Sequence, residues 1–416
     1  MTLDINFVRA NFPSLLSGPI FFDNPGGTQV TQSVIDAIRD YYLTANANHG
    51  GSFATSRRND EIVESAREAF ADFLNAGSPR EIVFGNNMTT LTFHVSRALG
   101  RTLSPGDEII VTRLDHDANI SPWLALQERG VVVKWVDIHP EDVTLDMADF
   151  ERQLSNKTRV VAIGLASNAV GTVNPVRQIG DLAHQVNAFV YVDAVHYAPH
   201  FPIDVQSLNC DFLVCSAYKF YGPHLGILYG KLDLLERIEA YKVRPSPKQS
   251  PDKWETGTQN FEGVAGAAAA VDYLAGIGEK YGGEYAHDFS AFEGRRRNLK
   301  TGMSAIHAYE KGLFSQLIDR LRNVEGIGIY GITDAARFDY RAPTVAFNVK
   351  GHSPRAVADR LAAADINVWD GNYYALAVME RLGLEETGGA VRVGLAHYNT
   401  GQEVDRLVEE LAAIAE

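Results

Sequence analysis

The chain has 416 residues, more than one ordinary hydrophobic core accommodates, which predicts a large α/β domain with a smaller companion. Its 38 basic and 52 acidic residues give a net charge of −14, which argues against nucleic acid or an anionic membrane as the main partner. Only two cysteines occur, and no cysteine–histidine cluster has metal-ligand spacing, so we expect no metal site and reduced thiols in a cytoplasmic protein.

No stretch of the sequence is typical of export or membrane insertion. The first residues, 1–9, carry charge too early for a signal peptide. The most apolar later stretch, 264–278, is short and is interrupted by Asp272. The sequence therefore predicts a soluble protein.

Short apolar runs alternate with helical patterns along the first part of the chain. Continuous apolar runs of this kind are typical of buried strands in a mostly parallel sheet with helices on both faces. After Gly263, two long helical patterns lead to further strands and a last amphipathic helix, which predicts a small α+β domain. The predicted strands are 81–84, 108–111, 131–136, 159–164, 188–192 and 212–214, followed by 344–349, 366–369 and 390–393.

A strand, a glycine and a helix start follow one another at Gly85, where the helix opens with Asn86 and Asn87. Free N–H groups at a helix start bind a phosphate dianion, and glycine lets the backbone approach it closely. An ordinary helix cap has the same pattern, so this motif alone leaves both interpretations open.

Two polar residues further along also follow predicted strands. His116 can stack on an aromatic ring, but a lone histidine at a strand end is as often structural. Asn168 can bond a phenolic oxygen, or it is a simple turn residue. Their types alone do not decide between these alternatives.

Lys219 and Asp193 are the most informative residues. Lys219 follows an apolar strand, at a position where a Schiff-base lysine would lie. Ser216, three residues earlier, can donate its hydroxyl to the phosphate that the helix start after Gly85 would bind. Asp193 ends another apolar strand, where a carboxylate can hold a protonated pyridine nitrogen. Alone, each residue is better explained as a surface lysine or a helix-capping aspartate; the pair suggests pyridoxal 5′-phosphate.

The motifs occur in the order that is typical of one enzyme family. Over nearly its whole length the chain resembles the class V aminotransferase branch of fold-type I pyridoxal phosphate enzymes, and in particular the cysteine desulfurase-like group. The motifs that carry the resemblance are Phe22-Asp-Asn-Pro-Gly-Gly27, Gly85-Asn-Asn87, Asp115-His-Asp-Ala-Asn-Ile-Ser-Pro-Trp123, Ser167-Asn-Ala-Val-Gly171, Val192-Asp-Ala-Val-His196, Ser216 to Pro223, Glu255-Thr-Gly-Thr258 and Arg392 to Asn399.

The resemblance implies a fold and an assembly. The fold is α/β of fold type I, with a mostly parallel seven-stranded sheet flanked by helices in a large cofactor-binding domain, residues 21–290. A small α+β domain follows over residues 291–416, and residues 1–20 pack with it. The implied assembly is a homodimer in which Thr258 reaches the phosphate of the other subunit's cofactor.

The resemblance also implies roles for single residues. It makes Lys219 the Schiff-base lysine and a catalytic residue together with His116, which stacks on the cofactor ring. Arg392 matches the residue that binds the substrate carboxylate, a task suited to its two-pronged guanidinium. The other implied cofactor ligands are Asn86, Asn87, Asn168, Asp193, His196, Ser216, Tyr218 and Thr258, and the other expected substrate contacts are Asn24 and Tyr374.

Three departures from the desulfurase pattern affect the expected chemistry. The loop that carries the nucleophilic cysteine in desulfurases, here 369–379, has Tyr374 at or near that position and no thiol. Tyr218 stands where desulfurases commonly have a histidine. His196 occupies the position near the ring oxygen where desulfurases usually have a glutamine. A histidine, unlike a glutamine, can gain or lose a proton, so this exchange alters the proton balance of the cofactor.

These departures favour a lyase. Because α,β-elimination needs only Lys219 and a leaving group, we expect C–S bond cleavage in a cysteine-like amino acid. Desulfuration by sulfur transfer, transamination and amino-acid epimerisation are the enzymatic alternatives. A cofactor-binding protein without catalysis is a further alternative, suggested only by the missing cysteine.

Overall fold

The computed structural model describes residues 3–16 and 18–416. Positions 1, 2 and 17 of the predicted N-terminal segment, residues 1–20, lie outside the described residues. The strands are β1 (Ile20–Phe21), β2 (Ile82–Gly85), β3 (Glu108–Thr112), β4 (Val132–Val136), β5 (Ile138–His139), β6 (Thr144–Leu145), β7 (Thr158–Gly164), β8 (Phe189–Asp193), β9 (Phe212–Ser216), β10 (Gly226–Gly230), β11 (Ile327–Tyr330), β12 (Thr344–Val349), β13 (Ile366–Asn367), β14 (Trp369–Gly371) and β15 (Ala390–Gly394). The α-helices are α1 (Ile5–Ala10), α2 (Gln32–Thr44), α3 (Ala54–Leu74), α4 (Met88–Gly100), α5 (Ser121–Leu124), α6 (Met147–Gln153), α7 (Val176–Gln185), α8 (Val205–Leu208), α9 (Leu232–Arg237), α10 (Phe261–Tyr281), α11 (Gly294–Leu321), α12 (Pro354–Ala363), α13 (Leu376–Arg381) and α14 (Gly401–Ala415).

A seven-stranded sheet forms the centre of the molecule, in the order β2-β10-β9-β8-β7-β3-β4. Strands β9, β8, β7, β3 and β4 pair in parallel, whereas β10 runs antiparallel to both of its neighbours. Successive residues of β7 enter different apolar clusters, Val160 one and Val161 the other, so both sheet faces are buried. The predicted mostly parallel α/β fold is confirmed.

A second, four-stranded antiparallel sheet follows in the order β11-β12-β15-β14. Its own apolar core includes Phe347 on β12, Val391 on β15 and Leu407 on α14. The last helix, α14, begins with a capping box in which the Thr400 hydroxyl accepts the Glu403 N–H and the Glu403 carboxylate accepts the Thr400 N–H. This part of the chain has the α+β character predicted for it.

The 28-residue helix α11 contributes to both cores. Leu299 and Met303 in its first half pack into the core of the large sheet, and Leu317 and Leu321 in its second half pack into the core of the small one. The domain boundary at 290/291, just before this helix, stays a prediction. Across the described ranges, no helix is both long and apolar enough to span a membrane.

The N-terminal segment connects with both parts of the molecule. Strand β1 pairs in parallel with β13, Ile20 opposite Ile366, and Arg9 forms an ion pair of 2.8 Å with Glu403. Phe12, in contrast, is fully buried in the core of the large sheet. The predicted packing of the N-terminal segment with the small domain therefore accounts for only part of the contacts of this segment.

Candidate active site

The carboxyl ends of adjacent parallel strands meet at one edge of the large sheet, and the polar residues predicted from the sequence follow them. Asp193 ends β8, and Lys219 lies in a 3-10 turn directly after β9. His116 follows β3, and Asn168 follows β7. Because β9, β8, β7 and β3 are neighbours, these side chains converge at the edge where open α/β sheets bind ligands.

A cavity of about 850 Å³ opens at this edge, between the large sheet and the loop 369–375. Eight residues predicted from the sequence line it: His116, Asn168, Asp193, His196, Tyr218, Lys219, Tyr374 and Arg392. The other predicted site residues, Asn24, Asn86, Asn87, Ser216 and Thr258, lie outside its lining.

Lys219 has an unusual electrostatic environment. Burial, and secondarily the positive charge of Arg392, lower the pKa of its amine to about 7, against the opposing attraction of Asp193. The amine donates a hydrogen bond to the Pro25 carbonyl and lies 4.7 Å from the centre of the Tyr218 ring. Near neutral pH, a large fraction of Lys219 is therefore an uncharged, nucleophilic amine.

Two buried carboxyl groups face the same region. Burial raises the pKa of Asp193 to about 6, although its carboxylate accepts the Val195 N–H at 2.9 Å. Burial, together with the nearby charge of Asp193, raises the pKa of Asp115 to about 7, opposed by hydrogen bonds from Thr112 and Asn119. A cation beside Asp193 would offset the free-energy cost of burying its negative charge. This aspartate is therefore suited to binding a protonated ring nitrogen.

His116 and His196 are both electrically neutral in this environment. Burial lowers the pKa of His116 to about 4, helped by the charges of Lys219 and Arg392. Its Nδ1 accepts the Ala118 N–H at 3.0 Å, which places the proton on Nε2, and its ring stacks at 5.7 Å on Tyr374. Burial also lowers the pKa of His196, whose Nε2 lies 3.0 Å from the Thr344 hydroxyl.

Arg392 on β15 supplies a cation to the inner wall of the cavity. Its Nη1 donates to the Asn168 carbonyl at 2.8 Å and its guanidinium carbon lies 4.3 Å from the centre of the Tyr373 ring, yet its buried Nε has no partner. Burial lowers the pKa of Arg392 to about 10, so it stays charged at neutral pH. An unpartnered buried guanidinium nitrogen is suited to an anionic ligand group.

Asn168 bridges the sheet and the loop. Its Nδ2 donates to the Tyr373 carbonyl at 2.9 Å, while its buried Oδ1 has no protein partner. Tyr373 and Tyr374 both adopt positive φ angles, 55° and 57°, in the left-handed region that non-glycine residues rarely occupy. Strained backbone of this kind clusters at ligand-binding sites.

The start of α4 forms the end of the cavity next to Tyr218. Met88 and Thr89 line the cavity, and the Ser216 hydroxyl accepts the Met88 N–H at 3.2 Å. Asn87 caps the helix by accepting the Thr90 N–H at 2.9 Å. The predicted helix start thus lies at the cavity, where Met88 and Thr89 rather than the two asparagines line it, and its binding of a phosphate stays a prediction.

The remaining predicted residues have other surroundings. Asn86 lines a separate cavity, together with His94 and Trp254. The Asn24 amide donates to the Gly394 carbonyl at 2.8 Å and to the Asn399 Oδ1 at 3.1 Å, and its oxygen accepts the Tyr398 hydroxyl. These bonds engage Asn24 structurally, so its contact with a substrate remains a prediction. Thr258 is exposed, as a role across a subunit interface requires, and that role also stays a prediction.

Neither cysteine contributes to the cavity. Cys210 and Cys215 are fully buried, and both lie outside its lining. Burial raises the pKa of Cys210 to about 12 and raises the pKa of Cys215 as well. Both thiols therefore stay protonated and inaccessible.

The structure adds lining residues that the sequence did not single out as site residues. Thr89 had a visible signal, because it belongs to the polar helix start. Asp117 and Trp369 lie within the quoted motif 115–123 and the loop 369–379, although neither was assigned a role, and Glu385 had no signal.

Comparisons with known proteins agree with this geometry. The model of the family described as "Aminotransferase class-V" matches residues 20–292 and 297–407. The chain belongs to the class V aminotransferase family.

Several members of the family are similar to the chain over nearly its full length. The aminotransferase-like protein FGM3 of Gibberella zeae is 34% identical, covering 99% of both chains. A cysteine desulfurase of Pectobacterium atrosepticum is 33% identical over 100% of this chain and 98% of its own. The structure of a cysteine desulfurase from Thermococcus onnurineus NA1 superposes with a TM-score of 0.86 at 27% identity, covering 100% of this chain and 99% of that one.

Class V aminotransferases and cysteine desulfurases use pyridoxal 5′-phosphate, and the chain is a pyridoxal phosphate-dependent enzyme. The site fits this cofactor. Lys219 offers a neutral amine, Asp193 a carboxylate for the ring nitrogen, and Met88 and Thr89 bring the start of α4 to the cavity for the phosphate. The unpartnered Asn168 Oδ1 and Arg392 Nε leave polar atoms available for ligand groups.

The lowered pKa of Lys219 predicts how the apoenzyme captures its cofactor. Only the neutral amine attacks the aldehyde, so we expect the capture rate to rise about tenfold from pH 6 to pH 8 and then to level off. Stopped-flow absorbance after mixing apoenzyme with pyridoxal phosphate measures this rate. A rate that instead rises about tenfold per pH unit between pH 7 and pH 9 would show an ordinary lysine and contradict the prediction.

Proposed function

We propose that the enzyme catalyses α,β-elimination of a cysteine-like amino acid, breaking its Cβ–S bond. The observation that carries the proposal is the combination of a neutral lysine amine in the cavity with no thiol in its lining. Elimination needs a base and a leaving group, whereas sulfur transfer needs a nucleophile on the protein. Lys219 supplies the base, and both cysteines are buried elsewhere.

The proposed roles follow the cavity from one end to the other. Ser216, Tyr218 and the helix start at Asn86 and Asn87 hold the phosphate, and Thr258 of a second copy adds a further ligand in a homodimer. His116 stacks on the ring, Asp193 holds its nitrogen, and Asn168 and His196 lie beside the ring oxygen. Arg392 binds the substrate carboxylate, with Tyr374 and Asn24 as further substrate contacts.

The chemistry assigns each proton and electron pair. Pyridoxal phosphate held by Asp193 at its ring nitrogen would supply a protonated ring that takes up the electron pair of the α-carbon. Lys219 Nζ removes the α-proton while Arg392 fixes the carboxylate, so that the reacting bond is correctly oriented. The Cβ–S bond then breaks with its electron pair on sulfur, which takes the proton held by Lys219, and the released 2-aminoacrylate reacts with water to give pyruvate and ammonia.

Product identification tests the proposal directly. We expect pyruvate and sulfide when cofactor-loaded enzyme is mixed with L-cysteine, and pyruvate and a thiol when it is mixed with an S-alkyl-L-cysteine. Mass spectrometry in the presence of a reductant identifies the products, and the Lys219→Ala variant gives the background.

Other products would replace the proposal with a specific alternative. Alanine and sulfide from L-cysteine would establish desulfuration, the reaction named in several similar proteins, through a nucleophile other than the two buried thiols. Exchange of the α-proton for deuterium without product would indicate epimerisation. Accumulation of pyridoxamine phosphate would indicate transamination.

A further inference from the structure

The outer end of the cavity carries two carboxylates, Asp117 and Glu385, on either side of one short loop. The Asp117 N–H donates to the Tyr374 carbonyl at 2.6 Å. On the other side, Asn372 Nδ2 donates to both oxygens of Glu385, at 3.0 and 3.2 Å. The Asn372 side chain also accepts the Tyr374 N–H at 3.1 Å, so residues 372–374 hold the Glu385 carboxylate and the backbone of Asp117 in place.

Neither carboxylate has a cationic partner within residues 3–16 and 18–416. Asp117 accepts a hydrogen bond of 2.5 Å from the Ser121 hydroxyl, and Glu385 accepts only from Asn372. The neighbouring Asp370, in contrast, forms an ion pair of 3.1 Å with Arg355. Asp117 and Glu385 are both partly buried, where a negative charge without a counter-charge costs free energy.

The inner end of the same cavity carries charges of both signs, since Asp115 and Asp193 line it together with Lys219 and Arg392. Arg392 is 4% exposed, and its Nε has no partner, so this end is set to receive a carboxylate. The loop connects the two ends, because the Tyr373 carbonyl accepts the Asn168 amide beside Arg392 while Tyr374 contacts Asp117. The cavity therefore holds Arg392, a buried cation, and near the loop two carboxylates without a cationic partner.

Exposed aromatic rings line the same cavity. Trp369 is 50% exposed and Tyr374 is 74% exposed, and both line the cavity. Exposed indole and phenol rings attract organic cations through their electron-rich faces. Among the residues that the structure describes, no group of three metal-ligating side chains occurs, so an organic cation suits the two carboxylates better than a metal ion.

We propose that the substrate is an α-amino acid whose side chain, or sulfur substituent, ends in a cationic nitrogen group bound by Asp117 and Glu385. The inference rests on the proposed function only in that Arg392 binds the α-carboxylate; it does not depend on which bond breaks. Free L-cysteine would occupy the inner end alone and leave the outer carboxylates unpaired. An ammonium or guanidinium group at the far end would give each carboxylate a charge-assisted hydrogen bond.

Matched pairs of amino acids test the charge preference without requiring turnover. The probes are L-arginine against L-citrulline and L-lysine against L-norleucine, each titrated into cofactor-loaded enzyme while the visible absorbance of the bound cofactor is recorded. We expect each cationic member to bind at least tenfold more tightly than its neutral analogue. The variants Glu385→Gln and Asp117→Asn should each reduce this ratio several-fold, and the double variant should bring it close to one.

The control is Glu386→Gln, which changes the adjacent, exposed carboxylate that lies outside the cavity lining and should leave the ratio unchanged. An unchanged affinity for L-norleucine shows that the cavity of a variant is intact. Equal binding of cationic and neutral analogues by the unmodified enzyme would overturn the inference. So would a preference that survives in the double variant.

A separate measurement keeps this inference apart from the elimination reaction. S-(2-aminoethyl)-L-cysteine and S-propyl-L-cysteine differ in their terminal charge, and both release pyruvate on elimination. A binding preference for the aminoethyl compound without pyruvate from either would support the inference and contradict elimination. Pyruvate formed equally fast from both, with equal affinity, would support elimination and contradict the inference.

Discussion

The Lys219→Ala variant is expected to lose covalent cofactor capture and to lower turnover at least a thousandfold. Lys219 is the amine that faces Asp193 across the cavity and the proposed base for the α-proton. A positioned general base contributes roughly 10²–10⁴-fold to a rate, and loss of the covalent attachment of the cofactor adds to this effect. Visible absorbance after gel filtration measures capture, and pyruvate formation measures turnover.

The matched control is Lys157→Ala, which removes an exposed lysine outside the cavity lining, just before β7 and at the other end of that strand from Gly164. This control should retain the cofactor, its absorbance and full activity. If Lys219→Ala instead kept the visible band after gel filtration, another lysine would be the attachment site, and the assignment of Lys219 would be wrong.

The Arg392→Ala variant is expected to weaken amino-acid binding by about tenfold to a hundredfold. A hydrogen bond to a charged group is worth roughly 1.5–3 kcal/mol, and each 1.4 kcal/mol corresponds to tenfold in affinity. Arg392→Lys should recover only part of this loss, because an ammonium lacks the planar fork that matches a carboxylate. Titration with L-norleucine, followed by the absorbance of the bound cofactor, gives the affinities.

Arg177→Ala is the control for Arg392→Ala, because Arg177 pairs with Asp181 on the exposed side of α7, away from the cavity. It should bind amino acids as the unmodified enzyme does. Thermal unfolding of the Arg392 variants separates a local effect from a lost fold, since Arg392 also bonds the Asn168 carbonyl. Unchanged amino-acid affinity in a folded Arg392→Ala protein would remove Arg392 from the substrate site.

The inner half of the site was predictable because it depends on strand ends. An apolar run followed by a polar residue identifies the carboxyl end of a buried strand, and adjacent parallel strands bring such ends together. Lys219, Asp193, His116 and Asn168 all follow this rule and all line the cavity. The antiparallel strand β10 was not predicted, since its Gly226–Gly230 segment is short and bounded by glycines.

The outer half of the site was not predictable from local patterns. Asp117, Trp369 and Glu385 come from distant parts of the chain and meet because the loop 369–375 adopts an unusual path. That path requires two successive tyrosines in the left-handed region, which sequence propensities disfavour. Asn86 and Asn87 show the same limit, since a polar helix start is visible in the sequence but the direction of each side chain is not.

The pairing of β1 with β13 has a consequence for biosynthesis. Every strand of the seven-stranded sheet lies within residues 82–230, so this sheet has all its strands while the rest of the chain is still being translated. Ile20, in contrast, must wait for Ile366 to leave the ribosome, a delay on the order of tens of seconds at typical translation rates. During that interval the apolar N-terminal strand lacks its partner, and chaperones that bind nascent chains would find it exposed.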